Sequence, residues 1–395
     1  MMEPVSRRRF VMSAATAASA GRVAGANDRI RLGVIGTGNR GKYLMRKANE
    51  AGGAEWMALC DACDARRDEA ETLTGKRLDK CADYRRLVER NDIDAVIVSA
   101  WDHVHTKFRG ILPGRQGRVR RKADDAAPDG RPPDCPGGAR EHKRVIQVGT
   151  QQRSIPHFRE AKEKFMDTGR IGRVTMVGTL WNSNLGHVTL PPPPGMESKP
   201  AGLDWDLCQD ELPKVPWDPK RCFNHCVSWD YSTNAQVGGL FVHMADVVHW
   251  YLNLRAPRAG VAMGGIYLTQ EGRDTADNFN AIVEYPGPVN VTFEANVTDL
   301  IRKDAENIVF MGDGGRLSIF RWGYRFLPAG HDKKGGEIAG ERTPDLHVAN
   351  WLDCVRSRKK ANVDEVEGHY GAMACHIANI AYKEGHRVDW RFPPG

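Results

Sequence analysis

The residues with the clearest chemical potential are a glycine-rich run and an aspartate 25 positions beyond its first glycine. An apolar segment at 31–35 leads into the run, and a helix-like segment at 41–51 follows it. A second apolar segment at 56–60 ends at Asp61. The run has the GxGxxG pattern: Gly36-Thr37-Gly38-Asn39-Arg40-Gly41. In this order the glycines allow a tight turn, a close backbone approach to a pyrophosphate, and close packing of a helix on a strand.

This pattern predicts a Rossmann unit that binds NAD or NADP. The N-terminus of the helix would offer N–H groups and a positive dipole to the phosphates. Asp61 would accept hydrogen bonds from the adenosine ribose, which favours NAD. Arg66 and Arg67 lie close to it in sequence, so NADP stays open.

Two more segments are expected to reach the same site, because open α/β sheets bind ligands at the C-terminal ends of their strands. Apolar runs at 94–99 and 144–148 predict two such strands. The residues expected to line the cofactor are Ser99, Trp101, His103, His105 and Gln151. For the two histidines, helix capping and packing is the alternative interpretation.

Charge and composition exclude several classes of protein. The net charge of +7 comes from two segments: residues 1–26 hold four arginines against one glutamate, and residues 109–140 hold eight basic residues against four aspartates. The rest of the chain is neutral overall, so no nucleic-acid partner is expected. No apolar run approaches the roughly 18–20 residues that span a bilayer. The nine cysteines are irregularly spaced, and no metal site is predicted.

The N-terminus has the parts of a targeting segment. The run Ser6-Arg7-Arg8-Arg9-Phe10-Val11 resembles the twin-arginine export signal, and a weakly apolar stretch and Ala24-Gly25-Ala26 follow. Residues 1–26 are therefore predicted to be a signal peptide that directs the protein to the periplasm through the twin-arginine machinery. This route carries folded proteins, so a tightly bound cofactor could travel with the chain. A disordered basic tail is the alternative.

The segment 110–138 does not fit its surroundings, with five prolines and six glycines in 29 positions. A Rossmann half requires a helix and a strand there. Read one base later, codons 114–128 can spell A-G-K-D-V-Y-V-E-K-P-M-T-L-R-P, which would supply the missing strand. We therefore hypothesise that compensating frameshifts bracket roughly residues 108–139. Lys122 is a lysine in both frames. A divergent loop is the alternative.

Several motifs in order resemble the glucose–fructose oxidoreductase / inositol dehydrogenase / MocA (Gfo/Idh/MocA) family, and most closely its twin-arginine-exported branch. Besides the glycine run, the residues that carry the resemblance are Asp102-His103-Val104-His105, Val148-Gly149-Thr150-Gln151-Gln152-Arg153-Ser154, Leu203-Asp204-Trp205-Asp206 and the segment Gly238–Trp250. The resemblance runs from about Arg31 to the C-terminus. It implies an α/β fold: a Rossmann domain at 27–152, then an α/β domain at 153–395 with an open, mostly antiparallel sheet. Such a sheet often forms an oligomer face, so a homo-oligomer is expected.

The resemblance also implies catalytic residues. The family lysine of an E-K-P motif matches Lys122 through the frameshift hypothesis, and its ammonium would stabilise developing alkoxide charge. A family histidine that accepts a proton matches His243. The family often has an aspartate four residues before it, where this chain has Gly239. Asp246 could replace that aspartate on a helix, or could be a structural helix residue.

The expected function is an NAD(P)-dependent oxidoreductase that transfers a hydride to or from a hydroxyl-bearing carbon of a sugar, glycoside or cyclitol. Two alternatives stay open. One is a glycosidase-type enzyme that uses NAD for transient oxidation. The other is a non-catalytic or damaged relative that still binds nucleotide.

Overall fold

The computed structural model describes residues 29–109, 117–120, 144–182, 192, 194–269, 272–296, 306–330, 336–339 and 346–390. Lys122 and the predicted signal peptide at 1–26 lie outside the described residues. Two sheets organise the chain, one parallel and one mostly antiparallel. The predicted α/β fold, a Rossmann domain followed by a second sheet domain, is confirmed.

The first sheet has six parallel strands in the order β3-β2-β1-β4-β5-β6. Its strands are β1 (Ile30–Ile35), β2 (Ala54–Cys60), β3 (Asp79–Cys81), β4 (Ala95–Val98), β5 (Gly117–Arg120) and β6 (Ile146–Val148). Every residue of β4, with the sequence AVIV, is buried. A continuous apolar run suits a strand that is covered on both faces, which is the usual setting of a parallel sheet.

Helices connect these strands. They are α1 (Asn39–Ala51), α2 (Asp64–Glu71) and α3 (Tyr84–Val88), and a 3₁₀ segment at Asp102–Arg109 follows β4. Helix α1 begins directly after the glycine turn, and buries Leu44, Met45 and Ala48 on one face. Gly52, with a φ of 74°, ends the helix, because glycine adopts this conformation without a Cβ penalty.

Strand β5 stands where the sequence as printed gives no strand signal. It pairs with β4 at Ala95↔Gly117 and with β6 at Arg118↔Ile146. The printed sequence there is GRVR, which is unusual inside a parallel sheet. In the shifted reading the same four positions are D-V-Y-V. The topology therefore requires a strand where the frameshift hypothesis supplies an apolar one.

The second sheet has nine strands in the order β14-β13-β12-β11-β7-β10-β9-β8-β15. Strands β7 and β10 are parallel, and the other pairs are antiparallel. The strands are β7 (Val174–Asn182), β8 (Ala259–Gly265), β9 (Asn278–Tyr285), β10 (Val289–Asn296), β11 (Glu306–Gly312), β12 (Gly315–Phe320), β13 (Gly323–Pro328), β14 (Gly336–Ala339) and β15 (Val388–Asp389). In β10 every second residue from Val289 is buried, as expected when only one face is covered.

Two helices, α7 (Val242–Leu252) and α9 (Glu365–Glu384), cover that face. The helices of this half are α4 (Pro156–Ala161), α5 (Trp205–Gln209), α6 (Pro219–Phe223), α7 (Val242–Leu252), α8 (His347–Ser357) and α9 (Glu365–Glu384). The ring of Phe241, just before α7, stacks on Phe293 of β10 with centroids 4.6 Å apart. A Cβ added at Gly260 of β8 would lie 3.2 Å from Ile377 of α9, so helix and strand are in close contact.

Helix α8 returns to the first sheet. Its Trp351 and Leu352 are buried in the same cluster as Leu44 and Met45 of α1. The domain division expected at 152/153 does not include this return. The C-terminal part of the chain completes the core of the nucleotide-binding half.

Candidate functional site

The three glycines of the turn differ in how much space surrounds them. Gly36 has a φ of 84°, and a Cβ there would lie 2.6 Å from the backbone nitrogen of Ala100. A Cβ at Gly41 would lie 2.0 Å from the carbonyl oxygen of Gly36. Both positions require glycine because neighbouring backbone fills the space. A Cβ at Gly38 would meet no atom of the described residues within 4 Å, so these residues leave the backbone there open to a ligand.

Ser99 supports this turn from the position directly after strand β4. Its hydroxyl donates to the carbonyl oxygen of Gly36 at 2.5 Å, and its backbone N–H donates to that of Ile35 at 2.8 Å. The side chain is buried. Ser99 therefore fixes the shape of the turn on the side where β4 ends.

Asp61 lies directly after β2 and faces the same turn. One carboxylate oxygen accepts the backbone N–H of Thr37 at 2.7 Å, and the hydroxyl of Thr37 lies 3.3 Å from it. The other oxygen accepts the N–H of Cys63 at 3.0 Å. The carboxylate is thus held at the edge of the glycine turn, where the ribose of a dinucleotide is bound in Rossmann folds.

Asn39 and Arg40 form the first turn of α1. The guanidinium of Arg40 lies over the ring of Tyr43, 4.9 Å from its centroid. The N-cap position of this helix is Gly38, which makes no side-chain cap bond. The first N–H groups of α1 therefore receive no cap from the N-cap residue, which suits an anion-binding helix N-terminus.

Trp101 and His103 meet the second half of the chain. The ring of Trp101 stacks on His225 with centroids 4.7 Å apart, and it lies 5.2 Å from the ring of Tyr231. The Nε2 of His103 lies 3.1 Å from the carbonyl oxygen of Cys208. These contacts join the C-terminal end of β4 to the segment between β7 and α7.

His105 has a different environment from His103. It is fully buried, and its Nε2 lies 2.9 Å from the carbonyl oxygen of Ala100. This contact fits the packing alternative for His105. It ties the start of the 3₁₀ segment to the end of β4.

Residues 199–217, which we call the strap, cross the turn that follows β2. The N–H of Asp64 donates to the carbonyl oxygen of Gly202, and the N–H of Asp204 donates to that of Ala62, both at 2.9 Å. Cys63 and Leu203 form an antiparallel bridge between these two bonds. The strap thus adds a short backbone pairing between the second half of the chain and the turn that carries Asp61.

A cavity of about 640 Å³ lies between the strap and the first sheet. Its lining combines apolar, aromatic and charged side chains. They include Ala62, Ala82, Lys199, Asp204, Trp205 and Trp217. A volume of this size is in the range of small-ligand sites, and it adjoins the Asp61 turn.

Gln151 and Arg153 belong to a 3₁₀ segment, Gln151–Ser154, that follows β6. The Oε1 atom of Gln151 is buried and has no hydrogen-bond partner among the described residues. Arg153 donates to both carboxylate oxygens of Asp246, from Nε at 2.9 Å and from Nη2 at 2.8 Å. Sequence reasoning did not select Arg153 as a functional residue, although it lies inside the motif at 148–154.

Asp246 is almost completely buried, and burial raises its pKa while the charge of Arg153 opposes this rise. Its partnership with Arg153 supports the structural alternative for this residue. The pair joins the end of β6 to helix α7. It therefore positions the helix on which His243 lies.

His243 is the second residue of α7 and is largely buried. A π-helical segment at Asn234–Phe241 precedes the helix. Such segments are rare in proteins, and those that occur often lie at functional sites. A Cβ at Gly238 would lie 1.7 Å from the Thr233 hydroxyl, whereas a Cβ at Gly239 would meet no atom within 4 Å in the part of the chain that the structure describes. There is space at position 239 for the side chain that this chain lacks.

His347 is a further residue that sequence reasoning missed. Its Nε2 lies 2.8 Å from the carbonyl oxygen of Val148, and its Nδ1 lies 2.8 Å from the Ser154 hydroxyl. It binds the 148–154 motif from helix α8. No local sequence signal indicates this contact, because about 200 positions separate the partners.

The residues present fit a nicotinamide dinucleotide. The open backbone at Gly38, the uncapped start of α1 and the carboxylate of Asp61 would hold its pyrophosphate and adenosine ribose. Among the described residues, no group of three or more His, Cys, Asp or Glu side chains could hold a metal ion. No helix in that part of the chain is both long and apolar enough to cross a membrane.

The sheet order, the glycine turn and Asp61 define a dinucleotide-binding protein of the Rossmann class. Residues 30–109 match the GFO_IDH_MocA profile, described as an oxidoreductase family with an NAD-binding Rossmann fold. The match covers the part of the nucleotide-binding half that carries the glycine turn and Asp61. Over these residues the match agrees with the family resemblance seen in the sequence.

Curated relatives match only part of the chain. The chain is 23% identical over 229 residues to inositol 2-dehydrogenase from Klebsiella pneumoniae (strain 342). The aligned region covers 57% of this chain and 55% of that protein. The chain thus spans about half the length of this relative.

Solved structures match almost the whole chain. The myo-inositol dehydrogenase of Lactobacillus casei, in complex with NAD(H) and myo-inositol, is 19% identical, with a TM-score of 0.62 over 93% of this chain and 98% of that one. Levoglucosan dehydrogenase, in complex with NADH and levoglucosan, is 14% identical, with a TM-score of 0.69. The superposition covers 91% of this chain and 99% of that one. At these identities the likeness shows the shared two-domain fold.

Proposed function

We propose that this protein is an NAD-dependent oxidoreductase that transfers a hydride to or from a hydroxyl-bearing carbon of a sugar, glycoside or cyclitol. The observation that carries the proposal is the glycine turn with Asp61 held at its edge, 2.7 Å from the N–H of Thr37. The match to an NAD-binding oxidoreductase family supports the reaction class. The similarity to inositol 2-dehydrogenase supports the substrate class.

NAD is favoured over NADP by the charge at the end of β2. The 2′-phosphate of NADP would bring negative charge close to the carboxylate of Asp61, whereas a ribose hydroxyl would donate to it. Arg66 lies within electrostatic reach of Asp61. Its position explains why removal of the carboxylate should open the site to NADP.

The roles of the chain's own residues follow from this geometry. The first turn of α1 would bind the pyrophosphate, and Asp61 would orient the adenosine ribose. Bound NAD supplies the hydride acceptor. His243 would take the hydroxyl proton of the substrate as a general base. Lys122, which lies outside the described residues, would stabilise the developing alkoxide.

The proposal includes export and self-association. The motif at 6–11 supports passage through the twin-arginine machinery to the periplasm. Export of a folded protein would also favour a cofactor that dissociates slowly.

The outer face of the nine-stranded sheet exposes Met176 by 40%, Ile282 by 47% and Met263 by 79%. Apolar residues on an uncovered sheet face support a homo-oligomer.

The first experiment is to sequence the coding DNA across codons 105–145. If the read restores E-K-P, the restored protein is assayed for NADH formation with myo-inositol and a panel of sugars. The variant His243→Asn should lower kcat by about 10²–10⁴-fold, and the variant of the exposed His386, His386→Asn, should not.

Cleavage of a glycoside without accumulation of NADH would favour the glycosidase-type alternative. Nucleotide binding without any turnover would favour the non-catalytic one.

A further inference from the structure

Two free cysteines lie opposite each other on neighbouring parallel strands. Cys60 of β2 is in direct register with Cys81 of β3, and both are free thiols. The Sγ of Cys60 lies 3.4 Å from the carbonyl oxygen of Ala82, and the Sγ of Cys81 lies 3.8 Å from that of Leu59. Each side chain therefore reaches toward the other strand.

The spacing of the strands permits a covalent bond between them. Neighbouring strands in a sheet lie about 4.7–4.9 Å apart, and disulfides usually join Cα atoms about 4.4–6.8 Å apart. Strand β3 has only three residues and forms the edge of its sheet. A bond at this position would fasten a short edge strand to the strand that carries the nucleotide-binding residues.

The surroundings make the two thiols unequal. Cys81 is half-buried, and its interaction with the neighbouring Cys60 thiol, followed by the charges of Arg67 and Arg90, lowers its pKa. Cys60 is almost completely buried, and the same interaction together with burial raises its pKa. Thiolates are the reactive species in disulfide exchange. Cys81 is therefore the thiol that would react first.

We propose that Cys60 and Cys81 form a reversible disulfide that fastens β3 to β2 beside Asp61. The oxidant is a small-molecule or protein disulfide. The Cys81 thiolate attacks one of its sulfurs and releases one thiol. The Cys60 sulfur then attacks the Cys81 sulfur of the mixed disulfide and releases the second thiol. Two protein thiols are oxidised, one external disulfide is reduced, and the two protons end on the released thiols.

This bond would act on the nucleotide site through two backbone contacts. The N–H of Gly36 donates to the carbonyl oxygen of Cys60 at 2.8 Å, and the N–H of Asp61 donates to that of Cys81 at 3.2 Å. Fastening the strands would hold the glycine turn and Asp61 in one arrangement, so nucleotide should bind more tightly. This consequence rests on the proposed function, whereas formation of the bond does not.

The direct test uses the full-length protein in buffers of oxidised and reduced glutathione. Free thiols are trapped, and disulfide-linked peptides are identified by mass spectrometry. A Cys60–Cys81 peptide that forms and is reversed by reductant is expected. Its absence in the fully oxidised buffer would overturn the proposal, and so would pairing of either thiol with Cys63, Cys208 or Cys222, which lie in a neighbouring cluster.

Stability and binding provide a second measurement. Oxidation should raise the unfolding midpoint by about 5 °C, because the bond closes a loop of moderate length. The variant Cys81→Ser should abolish this shift, and the matched variant of another half-buried cysteine, Cys226→Ser, should retain it.

Oxidation should also lower the Kd for NAD by about threefold. If the bond forms and the Kd does not change, the coupling to the nucleotide site is wrong. If neither redox form binds NAD, the proposed function fails while the peptide map still decides the disulfide.

Discussion

The guanidinium of Arg153 and the carboxylate of Asp246 form a buried two-point ion pair, with N···O distances of 2.9 and 2.8 Å. Arg153 follows the last strand of the first sheet, and Asp246 lies one turn after His243 on α7. The backbone carbonyl oxygen of Asp246 also accepts from Arg153 at 3.2 Å. The pair therefore sets the position of α7 relative to the nucleotide-binding sheet.

Breaking this pair should be costly. The variant Asp246→Ala leaves the buried Arg153 without its main counter-charge, and we expect a loss of about 3–5 kcal/mol in the free energy of unfolding. Urea denaturation measures this loss. As a control, Asp353→Ala removes the exposed partner of Arg356 and should change stability by less than about 0.5 kcal/mol. Equal effects of the two variants would contradict the assignment.

The open backbone at Gly38 predicts a variant that separates binding from folding. Gly38 has a φ of −64°, and a Cβ there would meet no atom of the described segments within 4 Å. Gly38→Ala should therefore change stability by less than about 1 kcal/mol. It should weaken NAD binding by about tenfold or more, because the methyl group would occupy the path of the pyrophosphate. Titration calorimetry gives the affinity. Gly178→Ala, at a position with ordinary contacts in the second sheet, should leave NAD binding unchanged, and an unchanged affinity in Gly38→Ala would place the pyrophosphate elsewhere.

Asp61 should decide between the two nicotinamide cofactors. Replacing it in the variant Asp61→Ser removes the charge that repels a 2′-phosphate and leaves Arg66 nearby. We expect the ratio of NADP to NAD affinity to rise by about tenfold, or about 1.4 kcal/mol. Fluorescence titration with each reduced cofactor measures the ratio. The exposed Asp68 of α2 provides a matched control, Asp68→Ser, and a similar change in both variants would argue against a specific role for Asp61.

His249 predicts a pH dependence of stability. Burial, followed by the charge of Arg153, lowers its pKa to about 3, and its Nε2 lies 2.6 Å from the Tyr285 hydroxyl. In the unfolded chain the imidazole takes a proton below about pH 6.5. The folded state therefore loses stability as the pH falls from about 6.5 toward 3, by up to about 1.4 kcal/mol per pH unit.

Urea denaturation between pH 7 and pH 4 tests this expectation. The variant His249→Gln should show a shallower decline than the parent, by the contribution of one proton. His386→Gln, at an exposed histidine, should follow the parent curve. Parallel curves for the parent and His249→Gln would show that His249 does not stay neutral in the folded state.

Local patterns account for the parts of the fold that were predicted from the sequence. The apolar runs of β1, β2 and β4 and the spacing from Gly36 to Asp61 lie within one βαβ unit, so chain order alone brings them together. The alternation of buried and exposed residues along β10 is equally local. The apolar runs and the glycine spacing predicted the nucleotide-binding half, whereas the second sheet was expected from the family resemblance.

Contacts between distant segments were not predicted. Arg153 and Asp246 are 93 positions apart, and His347 and Val148 are 199 positions apart. The pairing of the strap with the Asp61 turn depends on how the two halves are packed. The π-helical segment before His243 is likewise a product of packing, because its sequence has no signal that distinguishes it from an α-helix. Side chains at such positions acquire their roles only after both sheets have formed.

The return of α8 to the first sheet means that the two halves are not independent modules. Trp351 and Leu352 fill part of the core beneath α1, so a protein that ends at residue 152 would expose an apolar hollow where these side chains belong. The nucleotide-binding half can be completed only after the chain beyond α8 has been synthesised. A chimera that takes the nucleotide-binding half from a relative would therefore also have to take the α8 segment from it. Such a chimera needs more than the single junction near residue 152 that the order of the domains suggests.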